Sequence, residues 1–183
     1  MNESRARAAV TGTAVVAVAA AVTAAVYLVA DHHTPDYATS LFGQTGQDSV
    51  RLKAQLGTGL LALALVQLTL ALWMYRRLPG LSRSDRTPRA VSRTHRLVGV
   101  VAFALSIPIA VHCILTYGIE MSTSRTAAHS IAGCFFYGAF AAKVLVVRSR
   151  SLHRWVLPVM GGLLVATVAV LWYTAAWWFF TSQ

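Results

Sequence analysis

Apolar residues along this chain neither alternate with polar ones nor recur every three or four positions beside a polar face. They come in long unbroken runs. Five such runs, at about residues 8–30, 54–75, 97–118, 127–147 and 155–180, are separated by short polar or arginine-rich segments. A helix rises about 1.5 Å per residue and the hydrocarbon core of a bilayer is about 30 Å thick, so roughly 20 residues are needed to cross it. Hydrocarbon offers backbone amides no water, and only helices or closed barrels satisfy them there, so each run is expected to be a helix. The pattern predicts an all-α integral membrane bundle of five transmembrane helices, a single domain over residues 1–183, with the lipid bilayer as its first partner. The first run follows Arg5 and Arg7 as a secretion signal would, but it exceeds the usual 7–15-residue core of a signal and is expected to be a retained helix.

Composition agrees. The 183 residues are 56% hydrophobic and 12% charged, with mean hydropathy +0.58, outside the range of ordinary soluble domains. The net charge of +10 would suit nucleic acid if it covered a soluble face, but the bases sit in short segments between apolar runs, which excludes that partner. The connection from Arg76 to Arg96 holds seven Arg against one Asp, and that from Arg148 to Arg154 holds three more. By the positive-inside rule both face the cytoplasm. The segment from Asp31 to Lys53 has three acids and two bases, the turn from Gly118 to Thr126 one of each, and these face outward. The N-terminus is therefore expected in the cytoplasm and the C-terminus outside, with Trp172, Tyr173, Trp177 and Trp178 forming an outer aromatic belt. Of 16 basic residues 14 are Arg, and with so much Ala and Val this suggests a GC-rich bacterial genome, hence a bacterial cytoplasmic (inner) membrane. In the first helix the small residues of "TAVVAVAAAVTAAV" allow close packing on a neighbour, as "GTG" at 57–59 does in the second.

Candidate chemistry lies in the histidines. His112 near the end of the third run and His129 near the start of the fourth flank one short polar turn, which brings both imidazoles to similar depth at the outward side. His95, ~25 Å from His112 along a helix axis, pairs in depth with His153 at the cytoplasmic boundary. Ionisable groups inside a membrane are costly and usually face a bundle interior with a partner. Ligation of a haem iron by two imidazoles from facing helices supplies a chemical reason, because neutral imidazole gives the iron one lone pair and leaves the other N–H for an orienting acceptor. Gly133, one turn from His129 on the same stripe, leaves room for a porphyrin. Lys143, on nearly that stripe, would pair with a propionate, or else snorkel to headgroups. Pro108, four residues before His112, is expected to kink its helix and re-aim the ring. His95 in "SRTHRL" and His153 in "RSLHRW" sit among arginines, where a solvated role competes with ligation.

Other groups carry less. Cys113 and Cys134 fall within apolar runs and read as buried thiols. His32 and His33 lie beside Asp31 and Asp36, but adjacent side chains point apart, so a solvated loop is favoured over a metal site. No Cys-x-x-Cys, phosphate loop or nucleophile constellation is present, which leaves hydrolytic chemistry without a basis.

The segments "THRLVGVVAFAL", "AVHC" and "TAAHSIAGCFFYGAFAAKVLVVRSR" resemble helices of the cytochrome b561 and ferric-reductase-like transmembrane proteins, in which a helix opens with His-x-x-x-Gly and histidines on neighbouring helices hold b haems. They resemble still more closely an uncharacterised group of small actinobacterial five-helix membrane proteins. The resemblance covers about residues 90–180. It implies one or two b haems, with ligand roles for His112 and His129, and for His95 and His153 less directly. The spacing departs from both families: His95 and His112 are seventeen apart, the fourth and fifth helices carry one histidine each and the second carries none.

The leading expectation is a b-type haem cytochrome carrying electrons between a quinol or cytoplasmic donor and an external acceptor, as the electron-transfer subunit of an oxidoreductase. Its partners would then be a quinone and an external or peripheral redox protein. The alternative is a cofactor-free anchor or assembly subunit of a respiratory complex, its histidines serving as interhelical hydrogen-bond partners. A transporter is disfavoured, because among Asp, Glu, Lys and Arg only Lys143 lies well inside a span.

Overall fold

The computed structural model describes residues 3–77, 88–149, 151–153 and 155–182. Arg83, Asp85, Arg86, Arg150 and Arg154, which contribute to the charge bias above, lie outside the described residues. Five helices, α1 (Glu3–Asp31), α2 (Gly46–Met74), α3 (Arg89–Tyr117), α4 (Ser124–Arg148) and α5 (Val156–Thr181), are each long and apolar enough to cross a membrane. No strand occurs among the described residues, only an isolated bridge between Leu41 and Gln44. The expected five-helix all-α architecture is what the chain adopts.

The helices outrun the apolar segments that announce them. At 29 residues each, α1, α2 and α3 are about 43 Å long, well over the hydrocarbon thickness, so their polar end turns continue the helix beyond it. α2 in particular begins at Gly46, inside the segment expected as loop. α3 runs on through Pro108. α4 starts at a capping box, in which Thr123 and Thr126 exchange side-chain and backbone bonds.

α2, α3, α4 and α5 form the core. α3 packs on α2, α2 on α5 and α5 on α4, while α1 lies outside this group against α4. The fourth side, between α3 and α4, is closed by side chains: Phe103 stacks on Phe140 with centroids 4.0 Å apart, and Tyr137 donates to the Ser106 carbonyl at 3.1 Å. Leu60, Ala64, Phe136, Ala139, Leu164 and Val168 bury themselves where the four meet. The small residues of α1 are used as expected: Val15 packs with Ala142 and Val146, and a Cβ on Gly138 would collide with Thr23 Oγ1 and the Ala19 carbonyl. Gly57 of the "GTG" segment sits against Ala176 of α5, whereas Gly59 faces open space.

Gln67 of α2 meets the start of α3 and Ser151 meets Thr11 of α1, so the N-termini of α1, α3 and α5 share one end with the C-termini of α2 and α4. That end carries most of the arginines. At the other, the α1–α2 loop folds over α3: the Asp36 N–H and His33 Nε2 both reach the Leu115 carbonyl, at 2.9 and 3.1 Å. Gly118 ends α3 at φ +62°, and a Cβ there would lie 3.0 Å from the Ala30 carbonyl, so the tight junction of loop and turn requires glycine.

Candidate functional site

His112, 2% exposed, is buried beneath the α1–α2 loop at the arginine-poor end. Its Nε2 lies 3.1 Å from the Thr39 carbonyl and its Nδ1 3.2 Å from Thr116 Oγ1, one turn along the same helix. A carbonyl only accepts, so Nε2 carries the proton and donates, and Nδ1 accepts from the Thr116 hydroxyl. Both ring nitrogens are engaged with protein.

His129, one turn into α4, faces α5 instead. Its Nδ1 is 3.0 Å from Thr174 Oγ1, and that hydroxyl donates to the Val170 carbonyl at 2.7 Å, so it accepts from the imidazole N–H. Thr174 lies in a π turn spanning Tyr173–Trp177. A π turn interrupts the regular backbone ladder and frees carbonyls, and here the Thr174 carbonyl accepts from Arg125 Nη1 at 2.7 Å. Arg125 in turn lies over the Trp178 ring, 4.0 Å from its centroid. The first turn of α4 is thus clamped to α5 by His129 and Arg125 acting on one residue.

Lys53 of α2 sits 4.3 Å over the Tyr117 ring, at the same end of the bundle. His112, near the end of α3, and His129, near the start of α4, lie at one end of the bundle but are tied to different elements. A bis-imidazole haem site requires from each ring an unshared lone pair aimed at a common iron. His129 has the tautomer for that, with Nδ1 protonated toward an acceptor. His112 does not, because both of its nitrogens are spent, so the His112–His129 pair as it stands does not fit haem. The stripe below His129 also turns toward α5: a Cβ on Gly133 would make an ordinary 3.9 Å contact with Leu171.

At the arginine-rich end the members of the second pair differ in setting. His95 lies almost two turns inside α3, partly buried, with its carbonyl accepting from Gln67 Nε2 at 2.5 Å. His153 precedes α5, exposed, its ring 6.3 Å from that of Trp155. Lys143 is partly buried, and no carboxylate among the described residues lies in ion-pair range of it.

The remaining expectations resolve locally. His32 Nδ1 lies 2.9 Å from the Leu28 carbonyl while His33 reaches α3, so the adjacent rings diverge, and no group of three metal-ligating side chains occurs among the described residues. Cys113 and Cys134 are free thiols, the second buried. Tyr173, Trp177 and Trp178 are exposed as a belt requires, whereas Trp172 turns inward and donates to Thr58 Oγ1 at 3.0 Å. A shallow hollow near the start of α2, lined by Phe42, Asp48 and Arg51 among others, includes no histidine. Thr39, Thr116, Arg125 and Thr174 are functional partners that the reading of apolar runs passes over. Only the spacing of His112 and Thr116, one turn apart, signals a pair in advance.

Fold and site together define a multi-pass, all-helical membrane protein in which the rings of His112 and His129 are bonded to neighbouring elements of their own chain. Residues 11–183 match a family described as DUF6529, a family of unknown function, and the chain belongs to that family. No curated protein and no solved structure matches it.

Proposed function

We propose that the protein is a cofactor-free anchor or assembly subunit of a larger respiratory complex, with His112 and His129 acting as ties between elements. The observation that carries this reading is the complete engagement of the buried His112 ring by Thr39 and Thr116. In hydrocarbon, an imidazole whose two nitrogens are both matched holds the loop on α3 and leaves nothing to offer a ligand. The open positions of Gly59, Gly161 and Gly162, where a Cβ would meet nothing within 4 Å, add support, since glycines on outward helix faces let another helix approach closely. Protein isolated from native membranes is expected to lack a b-type alpha band in its reduced-minus-oxidised spectrum, to yield no pyridine haemochrome, and to co-purify with an oxidase or reductase. A haem band that disappears in His129→Ala would overturn the reading.

A second reading, the cytochrome b561-like electron carrier with a haem b, draws its support from His129, whose Nδ1–H is held by Thr174 as an axial ligand's would be. The same spectrum decides between the two.

A further inference from the structure

At the arginine-rich end α2 and α3 meet in a contact on which the support for neither reading rests. Gln67 of α2 lays its amide across Gly99 of α3, where a Cβ would stand 2.9 Å from Gln67 Nε2, and so reaches the His95 carbonyl. This leaves two atoms stranded. Gln67 Oε1 and His95 Nδ1 are both buried and have no hydrogen-bond partner. Such groups are rare in folded chains because burying them unmatched is costly, and near hydrocarbon the cost rises. Lys143 lies in the last turns of α4, at the same end of the bundle, without a carboxylate in ion-pair range among the described residues. Arg89, Arg93 and Arg96 add exposed positive charge on the same end of α3.

We propose that this corner binds the head of an anionic, hydroxylated phospholipid of the phosphatidylglycerol class. Three requirements select it. Gln67 Oε1 only accepts, so the ligand must bring a donor, which a headgroup hydroxyl supplies and a bare phosphodiester does not. The uncompensated ammonium and the arginines require an anion, which the phosphate supplies and a neutral quinol ring or diacylglycerol does not. The site's depth requires an amphiphile: His95 lies almost two turns inside a helix about 43 Å long, which places it at the level where head groups meet the hydrocarbon. The hydroxyls would donate to Gln67 Oε1 and pair with His95 Nδ1, and the phosphate would accept from Lys143.

The test is saturable binding to delipidated protein in neutral micelles, using short-chain phosphatidylglycerol, phosphatidylmethanol (anionic, without hydroxyls) and phosphatidylcholine (zwitterionic). Phosphatidylglycerol is expected to bind about fivefold tighter than phosphatidylmethanol, and by at least as much over phosphatidylcholine. In Gln67→Leu the first preference is expected to vanish while the second persists, and in Lys143→Met the second is expected to fall. These are ratios measured within one variant, so they remain readable if a variant is less stable. Equal binding of phosphatidylglycerol and phosphatidylmethanol by the unaltered protein overturns the proposal. So do ratios unchanged in both variants, soluble glycerol phosphate binding as tightly as the lipid, or displacement of the lipid by tetramethylbenzoquinol.

Discussion

Thr174 holds three groups at once: its hydroxyl donates to Val170 and accepts from His129, while its carbonyl accepts from Arg125. Thr174→Val keeps the shape and the carbonyl but removes the hydroxyl acceptor, leaving the imidazole only the Leu171 carbonyl at the interface of two helices. Interhelical bonds in membranes average near 0.6 kcal/mol, so the expected loss is about 0.5–1 kcal/mol, read from unfolding in mixed micelles. A Thr174→Ser variant, which retains the hydroxyl, should recover most of it. Outside the membrane, Glu120 offers a second residue-scale test. Hydrogen bonds from Ser122, the hydroxyl first and the backbone N–H second, hold its carboxyl below the usual carboxylate range. A depressed folded value means that this contribution to the turn is complete above the ordinary carboxylate pKa and is lost as pH falls through the lower folded one. An NMR titration should therefore place the Glu120 midpoint below that of a free glutamate and move it upward in Ser122→Ala. That His112 and His129 would lie at one end of the bundle was legible in the sequence because position along a span follows from counting residues along a helix. Their partners were not, because Thr39 lies 73 positions from His112 and Thr174 lies 45 from His129, and nothing local to a threonine marks it as an acceptor.

Among the elements, α1 shows how a small-residue sequence is spent. Its alanine-rich face approaches α4 so closely that Gly138 has Thr23 and the Ala19 carbonyl where a Cβ would go. Without a hydrophobic driving force between helices in lipid, such contact areas carry the association. Gly138→Val would push the helices apart or distort α4, at an expected cost of about 1–3 kcal/mol. The loss should be visible as lower thermal stability and as weaker crosslinking between cysteines placed on α1 and α4. That five helices would form, and that α1 would pack closely, could be read from runs of "TAVVAVAAAVTAAV" type. Which helix α1 would choose could not, because the complementary notch is a single glycine in "FFYGAF" that looks like any other. The π turn in α5 was equally hidden: "YTAAW" has ordinary helix formers, and the extra residue earns its place only through the bonds that α4 makes to it.

For the whole molecule, the distribution of charge and the geometry address the same question from two sides. Five crossings are an odd number, so the two termini must lie on opposite sides of any membrane the bundle spans. The structure groups Arg7, Arg76, Arg77, Arg89, Arg93, Arg96 and Arg148 at the end where α1 begins, and leaves Arg51, Lys53 and Arg125 at the other. Lys53 and Arg125 are held over the Tyr117 and Trp178 rings, an arrangement that shields each charge at the interface. Lys and Arg in short loops near the ends of spans resist translocation, so the arginine-rich end should remain cytoplasmic and the α5 terminus should emerge outside. Alkaline phosphatase, active only after export, should be active when fused after Gln183 and inactive when fused after Arg77, with a fluorescent reporter that folds only in the cytoplasm giving the reverse. Replacing Arg89, Arg93 and Arg96 by Gln should erode the difference, since these three sit at one span end and act together. Should phosphatase be active after Arg77 instead, the His112–Thr39 tie would face the cytoplasm, the lipid corner at Gln67 would lie in the outer leaflet, and the charge argument for orientation would fail while the helix packing stood.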